Sequence, residues 1–192
     1  MTDSFMKSVN LFVEKSQSNM EAVVKKTGVR ILAQLVQMSP VGNPDLWKVN
    51  QTAVGYNQAV FEHNEALRKD PNNLTLKNRQ LKKRARVNDS MDIKAPPGYT
   101  GGRFRGNWQV TFDVPADGET GRVDKSGNMT KAVGNYVLEQ FKVGMNAIYF
   151  TNNVPYAYRL EMGHSKQAPN GMIAITAENV SKFFRYAIAE MK

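Results

Sequence analysis

Apolar residues recur along the first forty positions at steps of three and four. Phe5, Val9, Phe12, Met20, Val23, Ile31, Leu35 and Met38 keep to those steps or their sums, which predicts one long amphipathic helix over residues 4–38. Asp3 or Ser4 is placed to cap its start. Pro40 ends it, because Ser39, preceding a proline, is driven out of the α region. At ~1.5 Å per residue this helix is about 50 Å long, longer than a small domain is wide. Part of its stripe must then meet something outside its own domain, or the helix must break near Gly28, where glycine costs up to about 1 kcal/mol relative to alanine.

Beyond the proline- and glycine-rich loop at residues 39–48, Ala53, Tyr56, Ala59, Val60, His63, Ala66 and Leu67 share one helical face. Asp70-Pro-Asn-Asn73 makes a turn that can cap a further helix over about 73–87, with Leu74, Leu81 and Ala85 on one side. Residues 52–88 are therefore expected to form a helical hairpin. Residues 55–73 resemble the second helix and turn of a tetratricopeptide repeat, but there is one copy, and such repeats need stacked neighbours. After a loop at 95–102, residues 107–114 alternate strictly, with Trp108, Val110, Phe112 and Val114 on one face of a half-buried strand. Trp108 is expected to pack on Phe183 or Phe184. A helix over 130–142 is expected to turn Val133, Tyr136, Val137, Gln140 and Phe141 inward. A short strand at 147–151 and a helix from Pro155 to Met162, ended by Gly163, come next. A last helix over 176–191 has Val180, Phe183, Phe184, Ala187, Ile188 and Met191 as its inner face. Few strands, antiparallel, with helices packed on them, define an α+β class. The expected organisation is a single α+β domain over 1–192 with a basic helical hairpin inserted at 49–94.

Composition narrows the function. The chain of 192 residues is 41% hydrophobic and 22% charged, ordinary for a globular protein, and it has no cysteine and only two histidines. Disulfide frameworks, thiolate metal sites, cysteine nucleophiles and histidine-rich zinc clusters are excluded. No apolar run approaches the ~18 residues that span a bilayer, and the start lacks a secretory pattern, so no membrane partner and a cytoplasm-like compartment are expected. The net charge is +9, and residues 49–94 hold nine basic and five acidic groups. Within them Lys77, Arg79, Lys82, Lys83, Arg84 and Arg86 crowd into one stretch without an acidic residue. Such a stretch suits phosphates or an acidic protein face, or is a solvated surface. It carries no interleaved aromatic residue, so any nucleic-acid contact would be to the backbone and without sequence preference.

Enzyme constellations are thin. His63 has no carboxylate at metal spacing. His164, just past a helix end, suits an interaction with the last carbonyls. The neighbouring Ser165 makes a nucleophile–base pair conceivable, but adjacent residues rarely address one substrate atom and no orienting acid is evident. The Gly101-Gly-Arg-Phe-Arg-Gly106 stretch lacks the lysine–hydroxyl pair of a phosphate loop and is expected to precede a strand rather than open a helix. Its glycines are better explained by close backbone packing.

Three segments carry a family likeness. They are Ser39-Pro-Val-Gly42 with Asn43-Pro-Asp-Leu-Trp47, then Gly98 to Gln109 with Gly102, Arg105 and Trp108, and finally Ile148 to Met172. The last contains Tyr156-Ala-Tyr-Arg159-Leu-Glu161-Met-Gly163 and Pro169-Asn-Gly171-Met172. The chain resembles the tail-component family of long-tailed bacteriophages, also called neck or tail-completion proteins. In that family a Ser-Pro-Val segment ends the first helix, a Thr-Gly segment with arginine leads to a tryptophan strand, and a Tyr-Ala-x-x-Leu-Glu-x-Gly helix end precedes a Pro-x-Gly-Met turn. The likeness covers residues 1–48 and 95–192; the hairpin between is an insertion.

The resemblance implies a virion structural protein at the head–tail junction, a ring-forming neck or head–tail connector component that completes the viral tail and joins it to the head. It implies a homo-oligomer, a sixfold ring. Its partners would be a tail terminator or tube protein and head-closure or connector proteins, with possible contact to DNA in the channel. It would reside in the virion after assembly in the host cytoplasm, with no catalytic residue, cofactor or metal. Arg103, Arg105, Arg159 and Glu161 are candidates for ion pairs that set loop geometry or subunit contacts. The alternatives are a sequence-independent nucleic-acid-binding protein acting through the basic hairpin, and a hydrolase using His164.

Overall fold

The computed structural model describes residues 2–77 and 79–191, with side chains from Phe5 onward. The fold is α+β. In chain order its regular elements are α1 (Thr2–Met38), α2 (Gln51–Arg68), α3 (Arg103–Gly106), β1 (Gln109–Phe112), α4 (Asn128–Leu138), β2 (Ile148–Thr151), α5 (Ala157–Glu161) and α6 (Ile173–Ala189). The chain divides into two compact units. A core unit takes the residues up to Gly42 and from Thr100 onward; an inserted unit is Asn43–Tyr99. The insertion is thus wider at both ends than 49–94. In the core unit its two ends lie together, since a Cβ added to Gly101 would sit 2.0 Å from the Gly42 carbonyl oxygen.

The core unit is built on α1, which runs unbroken through Gly28. That glycine is a contact site: an added Cβ would come within 2.6 Å of the Leu138 side chain. Gly134 does the same from α4, where a Cβ would lie 2.2 Å from Leu32. These two glycines let α1 and α4 approach closely, with Leu32 and Leu138 fully buried between them. Leu35, Val36, Phe104, Trp108, Val110, Val154 and Met172 complete the core. The sheet has two antiparallel strands, with Val110 opposite Phe150 and Phe112 opposite Ile148. Asp113, at φ 60°, ends β1 and accepts the Asn146 N–H, so Val114 leaves the alternation and is exposed.

Several faces differ from the sequence expectation. Trp108 is buried, but it packs edge-to-face on Phe104 and donates its indole N–H to Ser39 Oγ at 2.7 Å. Phe184 is exposed. On α4 the inner face is Thr130, Gly134 and Leu138, while Val133 and Tyr136 are exposed. The small Gly134 makes the tighter helix contact, and the larger apolar residues turn outward. On α6, Thr176 and Ala187 are buried, whereas Val180, Phe184, Ile188 and Met191 stay exposed. The apolar stripe of α6 is wider than the strip that α1 covers.

The inserted unit follows other rules. Among its described residues only Asn50, Ala53 and Leu81 are buried. The expected helix over 73–87 does not form. Asp70 accepts the Asn72 N–H and closes a single 3-10 turn, Pro71–Asn73, after which Leu74 and Leu81 pair as an isolated antiparallel bridge. A helix there would set Arg79 against Lys83 and Lys82 against Arg86 at i,i+4, and like charges at that spacing repel. The unit is held instead by asparagines. Asn50, Asn57 and Asn64 each accept a backbone N–H and donate to the carbonyl of the same residue: Lys94, Met91 and Val87 respectively, at 2.7–2.9 Å. Residues 87–94 therefore lie as an extended strap along α2, running antiparallel to it. Trp47 and Tyr99, near the unit's two ends, pack edge-to-face.

Candidate functional site

Two surfaces and one motif cluster could carry function. In the motif cluster every residue with a visible task is structural. Glu161, eleven residues before Met172, turns its carboxylate onto the start of α6 and accepts the N–H groups of Met172, Ile173 and Ala174 at 2.8–3.2 Å. It caps a helix that begins without a side-chain cap of its own. The two glycines flanking this arrangement have positive φ, Gly163 at 80° and Gly171 at 72°. An added Cβ would meet the Pro169 carbonyl oxygen at 2.3 Å from Gly163 and that of Glu161 at 2.5 Å from Gly171. Tyr156 packs beside Phe104.

Arg105 ties the end of α1. Its guanidinium donates to the carbonyls of Ser39, Gln37 and Lys125, the shortest bond being 2.6 Å to Ser39. Burial pulls its pKa down, opposed by the Asp124 carboxylate. The expected ion pairs are formed only in part. Arg103 pairs in a fork with Glu119 on the surface, but Arg105 binds carbonyls, Glu161 binds amides, and Arg159 is exposed with no ion pair among the described residues. The Gly101–Gly106 stretch does open a helix, contrary to expectation, but one of a single turn. Gly102 (φ 111°) and Gly106 pack on the backbone of residues 122–125, where an added Cβ would approach to 2.7 and 2.4 Å.

Sequence reading passed over Asp124. Burial raises its pKa, but hydrogen bonds from the Thr130 N–H and hydroxyl, the Ser126 hydroxyl and the Gly127 N–H outweigh this and hold it at about 2. The carboxylate caps α4 from outside the helix. The Asp-x-x-Gly spacing ahead of α4 was its only sequence signal.

The first surface is the free part of α1. From Phe5 to Met20 every side chain except that of Ser16 is exposed, including Phe5 at 67% and Phe12 at 72%. Phe5, Val9, Phe12, Ser16, Met20 and Val23 follow 4-3-4-4-3 spacing, a near-heptad seam. Further along, α6 contacts α1, and Glu190 near its end reaches Lys26 and Arg30. Glu21 takes the Val143 N–H, which lowers its pKa, and pairs with Lys142. Beyond that point roughly 24 Å of helix, at ~1.5 Å per residue, is exposed along residues 5–20 except at Ser16.

The second surface is the basic loop. Lys77, Arg79, Lys83, Arg84 and Arg86 are exposed, and Lys82 is half-buried by its bond to the Asn72 carbonyl. None of the six makes an ion pair among the described residues. They sit on an irregular loop anchored by Leu81, with Arg79 at φ 51°, not on a helix face. His63 and His164 are both exposed, and no group of three metal-ligating side chains occurs among the described residues. No helix among the described residues is long and apolar enough to cross a membrane. Comparison with protein-family models, with curated proteins and with solved structures gives no match.

Proposed function

We propose that this chain is a virion structural protein, a ring-forming neck or tail-completion component that joins a phage tail to its head without catalytic activity or cofactor. The observation that carries this reading is the bare seam on α1. A stripe with Phe5, Val9, Phe12 and Met20 in water is costly unless a neighbour covers it, at about 25 cal/mol per Å² of apolar surface. A closed ring of like subunits covers every such stripe at once. The motif residues support the same reading, because Glu161 and Arg105 cap and tie helix ends and Gly163 and Gly171 fix turns. Symmetry-resolved imaging of particles, with copy number by mass measurement, tests it. Six copies in a ring at the tail end is the expected result; a single copy per particle, or none, overturns it.

The second reading is sequence-independent nucleic-acid binding through Lys77, Arg79, Lys82, Lys83, Arg84 and Arg86, favoured by their forming no ion pair among the described residues. A monomer that binds duplex DNA with steep salt dependence would favour it over the first.

A further inference from the structure

The seam on α1 has a counterpart on α6. Its 4-3-4-4-3 spacing repeats every eleven residues, setting Phe5 with Ser16, Val9 with Met20 and Phe12 with Val23. On α6, Ile173, Ala177, Val180, Phe184, Ile188 and Met191 follow the same 4-3-4-4-3 spacing, and all six are exposed. Eleven residues in three turns is ~3.67 per turn, close to the ~3.6 of a straight helix, so both stripes run nearly straight along their helices. Each covers eighteen steps, or ~27 Å. The two stripes therefore agree in length and in period. Within one chain α6 ends against Lys26 and Arg30 through Glu190, and the seam from Phe5 to Met20 lies beyond that end.

Laid parallel with Phe5 level with Ile173, the stripes also agree in bulk. Val9 falls opposite Ala177, and Ser16, the small residue of the seam, falls opposite Phe184. Phe5 arrives at Ile173, which lines a recess of about 150 Å³ walled by Phe104, Phe150, Tyr158 and Met172. An apolar cavity of about that size takes a benzene ring. The area is sufficient too. Phe5, Val9, Phe12 and Met20 on one helix and Ile173, Val180, Phe184, Ile188 and Met191 on the other expose roughly 900 Å², at about 200 Å² for a whole side chain. The residues flanking each stripe carry the contact past the ~1,000 Å² that a specific interface needs. Pairing α1 with α1 would bury a similar area but leave both α6 stripes in water, whereas α1 on α6 covers both kinds of stripe.

We infer that the α1 seam docks on the α6 stripe of a second copy of this chain, with the two helices parallel and the Phe5 ring in the recess beside Ile173. The inference rests on the ring reading for its partner and adds the receiving face. One face is given and a different face receives, so the joint is heterologous and propagates from copy to copy until a ring closes.

The test uses the full chain, which has no cysteine of its own. Val9→Cys with Ala177→Cys sets one thiol on each stripe, level across the joint. In a single chain Val9 stands ~25 Å of helix short of Lys26, where α6 ends, and is out of disulfide reach of α6. Mild oxidation should give covalent multimers joined through positions 9 and 177, and Leu11→Cys with Ala177→Cys, its thiol on the other side of α1, should give none. Phe12→Glu and Phe184→Glu should each weaken self-association at least tenfold by sedimentation while melting temperature holds, because both residues are exposed. An equal mixture of the two variants should recover dimers, since one intact seam still meets one intact stripe. A parent chain that stays monomeric up to millimolar concentration, association indifferent to Phe184→Glu, no recovery in the mixture, or no disulfide between positions 9 and 177 would each overturn the inference. A ring in particles that forms despite Phe184→Glu keeps the ring reading and overturns this joint. A closed dimer carrying the 9–177 disulfide twice upholds the joint and overturns the ring.

Discussion

The two units of this chain are held by different physics. The core unit buries Leu32, Leu138, Trp108 and Met172, and spends its buried polar groups on capping and tying helix ends. Among its described residues the inserted unit buries Asn50, Ala53 and Leu81, and it is held by side-chain amides that bond a strap's backbone. A segment of that size is marginal at forming a core of its own. Each amide bond contributes only about 1 kcal/mol net. The core unit should therefore melt cooperatively, and the strap should open locally well below that transition.

The largest effect should come from Trp108. Trp108→Ala removes the aromatic centre of the core and the indole bond to the Ser39 hydroxyl, which keeps its bond to the Leu35 carbonyl, costing about 3–5 kcal/mol. A thermal melt should show the core unit's transition lost or lowered by many degrees. A variant that melts within a degree of the parent would mean that this core is not what holds the unit.

Asp124 comes next, and it makes stability depend on acid. Its folded pKa, about 2, lies below its ordinary value of 3.8. The contribution is complete above that ordinary value and is lost as pH falls toward 2. The shift corresponds to about 2 kcal/mol. Asp124→Asn should destabilise the core unit by a similar amount at neutral pH and flatten its stability between pH 5 and 2. The parent's acid profile persisting in the variant would assign it to another group.

Asn64→Ala sharpens the contrast from the other side. It deletes two hydrogen bonds to Val87 and should cost about 1–2 kcal/mol of local stability. Trypsin should then nick the chain faster after Arg86, while the core unit's melting stays put. Uniform destabilisation of both units would show that they are not separable in this way.

These differences also decide what could be read from sequence. The long helix, the centre of the strand expected over 107–114 and the Gly163 stop were legible because periodicity and glycine act locally, though the strand is only Gln109–Phe112 and Trp108 lies just before it. On α4 and just past it, Val137 and Phe141 turn inward as expected, but Val133 and Tyr136 were misjudged because bulk was taken as the sign of burial, and Gly134 wins that contact by being small. On α6, Ala187 is buried as expected, while Val180, Phe184, Ile188 and Met191 are exposed. Glu161 and Asp124 act across eleven and six residues, beyond any local capping pattern. The failed helix at 73–87 rested on three apolar positions and neglected the repulsion among its cations. The seven-residue spacing of Asn50, Asn57 and Asn64 was visible, but asparagine reads first as a turn residue, and nothing local reveals that a strap runs past it.

The smallest stability effect belongs to the basic loop, and it separates function from folding. Lys83, Arg84 and Arg86 are exposed and form no ion pair among the described residues, so their charge contributes little to the fold. Surface substitutions of this kind usually stay within about 0.5 kcal/mol. Reversing all three to glutamate should leave melting of both units unchanged. Net charge would fall by six, and attraction to a polyanion should weaken, with a shallower salt dependence of any DNA binding. Under the ring reading, the same variant should assemble but hold DNA or an acidic neighbour less well. Parental particle yield together with parental DNA affinity would leave the cations as solvated surface.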